Sequence, residues 1–118
     1  MRKGLVPAFV VVTVLVLIGA MSAAEAPASV AGTYANLSFN VDGAGGQNRL
    51  MPRLELRADG AYRWGRESGT YEYREGKVTL SGSYASWGPG RVDEDLKIWF
   101  EFTKQGKQYA VTMYRVSD

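Results

Sequence analysis

The chain has 118 residues, with 14 lysines and arginines against 12 aspartates and glutamates, and it contains neither cysteine nor histidine. This composition excludes disulfides, thiol redox work, Ser–His and Cys–His nucleophile pairs, and metal ligation by imidazole or thiolate. Stability must come from packing, and the 3 Trp, 7 Tyr and 4 Phe are expected to fill one modest core.

The first two dozen residues have the layout of a secretory signal peptide. Arg2 and Lys3 precede an apolar run, and small residues follow it at positions 22–24. We expect cleavage after Ala24, which predicts a secreted or periplasmic protein. The alternative is an uncleaved anchor, because the uncharged stretch 5–24 is long enough to span a bilayer.

The charge of the chain does not indicate a nucleic-acid partner. Arg2 and Lys3 lie in the signal segment and every acidic residue follows it, so the mature chain would be near neutral. Basic and acidic residues are interspersed along the rest of the sequence, whereas nucleic-acid binding needs a clustered basic face. Contact with a membrane is expected only through the signal segment, if it is retained.

After the signal segment we expect a disordered leader over residues 25–31 and a single antiparallel β domain over 32–118. The first strand is predicted at 32–41, where Tyr34 is out of phase with the later apolar positions. A bulge near Ala35-Asn36 would bring Tyr34 and the later apolar residues onto one face of the strand. The remaining inward positions of this strand are Leu37, Phe39 and Val41.

The stretch 54–84 is predicted to be a β-meander. Four short runs alternate between apolar and polar residues, and three glycine-marked turns separate them. Two of these turns are the pairs Asp59-Gly60 and Glu75-Gly76, which tolerate the positive φ of a tight turn. The alternation creates an aromatic-rich inner face. Its members are Leu54, Leu56, Tyr62, Trp64, Tyr71, Tyr73, Val78, Leu80 and Tyr84.

Residues 85–95 are predicted to be irregular, and two strands follow at 96–103 and 108–116 with a turn at Gly106. The total of seven short strands with glycine turns predicts an all-β fold, either an antiparallel sandwich or a small up-and-down barrel. The inward positions of the last two strands are Leu96, Ile98, Phe100, Phe102, Tyr109, Val111 and Met113.

Carboxylates are the groups left for catalysis or metal binding. A two-carboxylate glycosidase is the alternative to a non-enzymatic protein. However, Glu55, Glu72 and Glu101 lie on the outward phase among basic residues, where cross-strand charge pairing explains them, so we expect no enzyme. The acidic run 93–95 could bind Ca²⁺, but it lacks the alternating pattern of a calcium loop, and we expect no metal and no cofactor.

The candidate contact residues are aromatic. Trp87 directly precedes the sharp turn Gly88-Pro89-Gly90 and is either a plug over one barrel end or an exposed contact. Trp99 and Tyr114 lie on the outward phase of the last two strands, where they would form an exposed patch unless that face is covered or the phase is inverted. With the interior rings, the candidate ligand or partner contacts are Tyr62, Trp64, Tyr71, Tyr73, Trp87, Trp99 and Tyr114.

A resemblance to a known family rests on four segments, namely GTY at 32–34, DGAYRW at 59–64, SGTY at 68–71 and GKVTL at 76–80. Their running order resembles small secreted lipocalin-like β-barrel domains, which implies a barrel. The chain departs from true lipocalins in its tyrosine instead of tryptophan in the first segment, its lack of cysteine and its short length. The resemblance therefore transfers no binding residue.

Two functions of different classes remain open at this point. The first is a non-enzymatic exported β-domain that binds a small apolar ligand or envelope component through its aromatic-rich interior. The second is a secreted protein-interaction module or enzyme inhibitor. That module would act through the loop from Trp87 to Asp95 or through the Trp99 and Tyr114 face.

Overall fold

The computed structural model describes residues 27–118 as one closed antiparallel β-barrel. The all-β class and the barrel are confirmed. The signal segment and its cleavage site lie outside the described residues. Between residues 27 and 118, no helix has both the length and the apolar character needed to cross a bilayer.

The sheet contains nine strands, of which eight close the barrel. Strands β3 to β9 pair consecutively, and β1 closes the circle by pairing with both β3 and β9, while β2 is an extra strand on β1. Two 3₁₀ segments, Pro27–Val30 and Gly82–Trp87, accompany the strands. The strands are β1 Gly32–Val41, β2 Ala44–Gly46, β3 Leu54–Leu56, β4 Ala61–Trp64, β5 Glu67–Arg74, β6 Lys77–Leu80, β7 Gly90–Val92, β8 Lys97–Lys104 and β9 Lys107–Ser117.

Two of the strands were not among the seven expected from the sequence. Strand β2 lies in the loop after β1, and β7 lies within the segment 85–95, which the sequence predicts to be irregular. Each has three residues, too few for alternation to be visible. Strand β7 pairs with β6 and β8, so it is needed for closure.

Strand β1 contains the expected bulge, one residue later than predicted. Its register with β9 shifts between Asn36 and Ser38, so Leu37 is the extra residue. Tyr34 and Asn36 are buried before the bulge, and Phe39 packs against the core after it. The prediction that Leu37 faces inward is wrong, because its side chain is 40% exposed.

Two boundaries also differ from the sequence-based expectation. Tyr84 lies in the 3₁₀ segment Gly82–Trp87 instead of a strand, although its ring still packs against the core. Leu96 has φ of 58° in the turn before β8 instead of opening that strand. In both cases a turn interrupts the alternation, and tertiary packing keeps the apolar side chain partly covered.

The described part of the predicted leader contains an ordered turn, whereas the sequence predicts disorder over residues 25–31. Residues Pro27–Val30 form a 3₁₀ turn, and the Val30 side chain is fully buried. The Tyr34 hydroxyl donates a hydrogen bond of 2.7 Å to the Val30 carbonyl. Val30 therefore packs as part of the domain core, and this turn lies at the end of the barrel where β1 begins, which we call the closed end.

Buried aromatic rings connect the interior to the loops. Four of them donate a hydrogen bond from their polar atom to a backbone carbonyl in a connection or terminal segment, and a typical bond of this kind stabilises the fold by about 1 kcal/mol. The interior rings thus pack in an apolar core and also hold the surrounding loops through hydrogen bonds. The four bonds are Tyr34 Oη to Val30 O, Tyr62 Oη to Ser81 O, Trp64 Nε1 to Pro52 O and Tyr71 Oη to Arg57 O.

Candidate functional site

The barrel interior is filled by its own side chains. Tyr62 and Trp64 are 2% exposed and Tyr71 is 4% exposed. A Cβ atom added at Gly90 would lie 2.6 Å from Ile98 Cγ2 and 2.7 Å from Phe100 Cε1, so even the space of a methyl group is occupied there. The interior rings proposed as ligand contacts therefore offer almost no surface.

Three strands continue beyond the others at the end opposite to the closed end. Strand β8 pairs with β7 only at Ile98 and Trp99, but it pairs with β9 as far as Lys104. Strand β1 likewise pairs with β3 only through Tyr34, but with β9 through Val41. The ends of β1, β8 and β9, together with β2 on β1, thus form a four-stranded extension whose inner face is not covered by a complete barrel wall.

An aromatic groove lies on this extension. It is lined by the half-buried rings of Phe39, Trp87, Phe102 and Tyr109, and its volume is about 320 Å³. Trp87 stacks on Phe102 at 4.5 Å between ring centroids, and Phe102 stacks on Tyr109 at 5.0 Å. Phe39 meets Tyr109 edge-on at 6.1 Å. We call this site the aromatic groove.

Trp87 separates the groove from the core. Its ring lies 5.1 Å from Trp64 and 5.8 Å from Phe100, measured between centroids. The ring folds back from the 3₁₀ segment onto the barrel, which agrees with the plug interpretation. The plug is incomplete, because the indole is half-buried and its other side lines the groove.

The chemistry of the groove is apolar with a few free donors. The stacked rings cover each other's faces, so they offer their edges to a ligand. Among residues 27–118, the Trp87 indole N–H and the Tyr109 hydroxyl donate to no protein acceptor, and Lys104 at the rim forms no ion pair. The groove can therefore surround an apolar group and donate hydrogen bonds at its edge.

The other aromatic candidates lie away from this groove. Tyr73 is half-buried on β5 near the closed end. Trp99 faces outward as expected, but its indole N–H donates to Asp93 Oδ2 at 3.1 Å, and the Arg91 guanidinium lies 5.2 Å from its ring centroid. Tyr114 lines a different, polar groove. The seven candidates therefore do not form one site.

The acidic run 93–95 has a structural role in the turn before β8. Asp93 Oδ1 accepts hydrogen bonds from the backbone N–H groups of Asp95 at 3.0 Å and Lys97 at 2.9 Å. These hydrogen bonds stabilise the ionised carboxylate and lower the pKa of Asp93, and the bond from the Lys97 N–H has the largest effect. Within residues 27–118, no three acidic side chains are grouped so that they could hold a metal ion.

Glu55 and Glu72 each pair with an arginine two positions further along the chain, whereas Glu101 forms no ion pair in the part of the chain that the structure describes. Arg57 lies 2.8 Å from Glu55, and Arg74 lies 3.7 Å from Glu72. The expected cross-strand pairing is replaced by pairing between residues two positions apart, which share one face of a strand. The carboxylates of Glu55 and Glu72 thus have ordinary surface partners.

Sequence reasoning placed Phe39, Phe102 and Tyr109 in the core and did not name them as one site. One sequence feature could have identified them as a group, because all three lie near the ends of the longest strands, beside the turn at Gly106. Alternation shows which face a residue takes, but coverage of that face depends on how far the neighbouring strands extend. The extent of the neighbouring strands depends on residues far away in the sequence, so the local pattern does not show it.

The fold and the groove together define an eight-stranded antiparallel β-barrel with a filled interior and an aromatic site at one end. Comparison of the chain with protein-family models, with curated proteins and with solved structures finds no match in any of the three. No residue role is therefore transferred from a relative.

Proposed function

We propose that this chain is a non-enzymatic exported β-barrel that binds a small apolar ligand, or the apolar part of an envelope component, in the aromatic groove. The single observation that carries the proposal is the half-buried row of Trp87, Phe102 and Tyr109 around about 320 Å³. This volume is at the lower end of the range for small-molecule sites, roughly 300–1,000 Å³.

The groove replaces the barrel interior as the binding site. A ligand in the interior would have to displace rings that are hydrogen-bonded to backbone carbonyls, as Tyr62 and Trp64 are. A ligand in the groove displaces only water from exposed ring edges, which is favourable for apolar surface. The up-and-down barrel is consistent with a lipocalin-like domain, with the site at the rim.

The alternative, a protein-interaction module, has less support. Its proposed face includes Trp99, whose ring is occupied by Arg91 on one side and whose N–H is bonded to Asp93. Its proposed loop from Trp87 to Asp95 begins at the last residue of the 3₁₀ segment and contains the β7 strand and a tight turn, and Trp87 turns toward the groove.

The test is titration with the fluorescent apolar probe 1-N-phenylnaphthylamine. We expect saturable enhancement of probe fluorescence, and we expect Phe39→Ala with Tyr109→Ala to weaken binding about tenfold through lost apolar contact. Tyr114→Ala removes an outward ring outside the groove and serves as the matched control. The proposal fails if the unmodified chain gives no saturable response, or if the control weakens binding as much as the groove variant.

A further inference from the structure

The arginines of the barrel are distributed unevenly. Three of them have a partner elsewhere: Arg74 pairs with Glu72, Arg115 pairs with Asp118, and Arg91 lies over a tryptophan ring. The other arginines in residues 27–118 lie together on the outer side of β3, β4 and their adjoining connections. We call this set the arginine wall: Arg49, Arg53, Arg57, Arg63 and Arg66.

Strand register brings four members of the wall together. Arg53 and Arg57 flank Glu55 on the outward phase around β3, and Arg63 of β4 lies directly opposite Glu55. Directly opposed residues have Cβ atoms about 5 Å apart, and diagonal neighbours are about 7–8 Å apart. Arg66 follows in the turn after β4. The wall therefore forms from segments that are separated along the chain.

Arg49 belongs to the wall because its loop is fastened to β1. The Asn36 side chain is only 4% exposed, and its Oδ1 accepts a hydrogen bond of 2.8 Å from the Asn48 backbone N–H. The Gln47 side chain donates to the Asn36 carbonyl at 3.2 Å, and the Met51 N–H donates to the Asn48 carbonyl at 3.2 Å. The turn that carries Arg49 is thus preorganised.

The positive charge of the wall is partly balanced at Arg57. Glu55 lies 2.8 Å from Arg57 and raises the pKa of that guanidinium above its ordinary value, mainly through their hydrogen bond, and the charge of Asp59 adds to the same effect. No ion pair of Arg49, Arg53, Arg63 or Arg66 occurs in the part of the chain that the structure describes. Neighbouring like charges repel, and a bound polyanion would relieve the repulsion.

Two grooves indent the wall. One has a volume of about 320 Å³ and is lined by Arg49 and Arg53 together with the side chains of Gln47, Asn48 and Tyr114. The other has a volume of about 580 Å³ and is lined by Arg57, Arg63 and Arg66 above a floor of small and hydroxyl residues. That floor contains Ala61, Ser68, Gly69 and Thr70.

We propose that the arginine wall binds an acidic polysaccharide. Guanidinium groups bind carboxylate and sulfate oxygens in a bidentate fork, which suits the charged groups of such a chain. Hydroxyl and amide side chains in the two grooves can exchange hydrogen bonds with sugar hydroxyls. A concave surface lined by arginines accommodates a narrow chain better than the plane of a bilayer. This surface is separate from the aromatic groove, so the proposal goes beyond the proposed function.

The test compares polygalacturonate, which carries carboxylates, with neutral dextran of similar length by isothermal titration calorimetry. We expect binding of polygalacturonate that weakens as salt is raised, and no binding of dextran. The double variant Arg53→Gln with Arg63→Gln should weaken binding about tenfold or more. Each substitution removes a guanidinium and its charge-assisted hydrogen bond to a carboxylate of the polysaccharide. Lys77→Gln with Lys107→Gln removes the same charge outside the wall and outside the aromatic groove, and should leave binding within about twofold.

A second pair, Arg49→Gln with Arg66→Gln, repeats the test if the first pair does not fold. Retained binding of 1-N-phenylnaphthylamine by the wall variants would show that the aromatic groove is intact, so the two proposals are tested separately. Equal loss in the lysine control would assign the binding to net charge and overturn the proposal, as would no binding of polygalacturonate.

Two further arms test other polyanions. Tighter binding to phosphatidylglycerol vesicles than to polygalacturonate would overturn the proposal in favour of a membrane surface. In that case Leu50→Ser should weaken vesicle binding, because Leu50 is 92% exposed beside Arg49. Tighter binding to duplex DNA would overturn it in favour of nucleic acid.

Discussion

The two ends of the barrel use the same residue types for different purposes. At the closed end, Tyr34 is fully buried and its hydroxyl donates to the Val30 carbonyl. In the aromatic groove, Tyr109 is half-buried and its hydroxyl donates to no protein acceptor among residues 27–118. An aromatic ring with its polar atom bonded to the backbone stabilises the fold, whereas a ring with a free donor and an exposed edge is available to a ligand.

The largest expected difference concerns ring truncation. Trp64→Ala should lower the free energy of unfolding by about 3–5 kcal/mol, because it removes a buried ring and leaves a cavity. Phe102→Ala in the aromatic groove should lower it by about 1–2 kcal/mol, because the ring is only half-buried. Urea denaturation of both variants measures the difference. Equal losses would contradict the distinction between a structural interior and a binding groove.

A smaller effect is expected from added volume in the interior. Gly90→Ala should destabilise the barrel by about 1–3 kcal/mol, because the new methyl group would overlap Ile98 and Phe100. Gly46→Ala is the matched control on the edge strand β2, where a Cβ meets nothing within 4 Å. We expect the control to stay within about 0.5 kcal/mol. A neutral Gly90→Ala would show that the interior has spare room.

The closed end should also impose a pH dependence. Burial raises the pKa of Tyr34 from 10.0 to about 12, so the fold favours the neutral phenol. The neutral Tyr34 phenol contributes fully to the free energy of unfolding below pH 10. This contribution falls by about 1–2 kcal/mol as the pH rises toward 12. Burial also raises the pKa of Tyr62, Tyr71 and Tyr84, so these tyrosines add to the same trend.

The measurement is the urea midpoint of the unmodified chain and of Tyr34→Phe between pH 9 and pH 12. We expect the midpoint to fall less steeply in the variant, because one raised pKa has been removed. An identical slope in the two proteins would show that Tyr34 does not contribute to the loss of stability at high pH.

The smallest expected effect comes from a single hydroxyl. Tyr62→Phe removes the hydrogen bond of 2.7 Å to the Ser81 carbonyl and should cost about 1 kcal/mol. Tyr109→Phe removes a hydroxyl that has no protein acceptor in the described part of the chain, and should stay within about 0.5 kcal/mol. Thermal unfolding of the pair measures the difference. A larger loss for Tyr109→Phe would mean that the groove hydroxyl has a structural role.

The meander was the part of the fold most accessible from the sequence. Leu54, Tyr62, Trp64, Val78 and Leu80 are all buried as alternation predicts. This succeeds because the direction of a side chain depends only on its neighbours within one strand. The bulge in β1 was also visible as a phase conflict, but its exact position was not, because the register with β9 decides which residue is extra.

The two surfaces proposed to bind partners were less accessible. Phe39 and Tyr109 have the same alternation as core residues, and only the shortness of β3 and β7 leaves their end of the sheet open. The arginine wall was hidden because charges alternate in sign along the chain. Pairing of β3 with β4 places Arg63 beside Arg53 and Arg57, and so turns an interspersed pattern into a clustered one.

The sequence by itself determined the all-β class, the positions of most turns and the inward face of the strands outside the β1 bulge, because these follow from local backbone preferences and a period of two. Only the tertiary structure decided that β1 and β9 close a barrel, that the interior is full, and which rings and arginines remain available to partners. These features depend on contacts between residues far apart in the chain, where register and strand length act together.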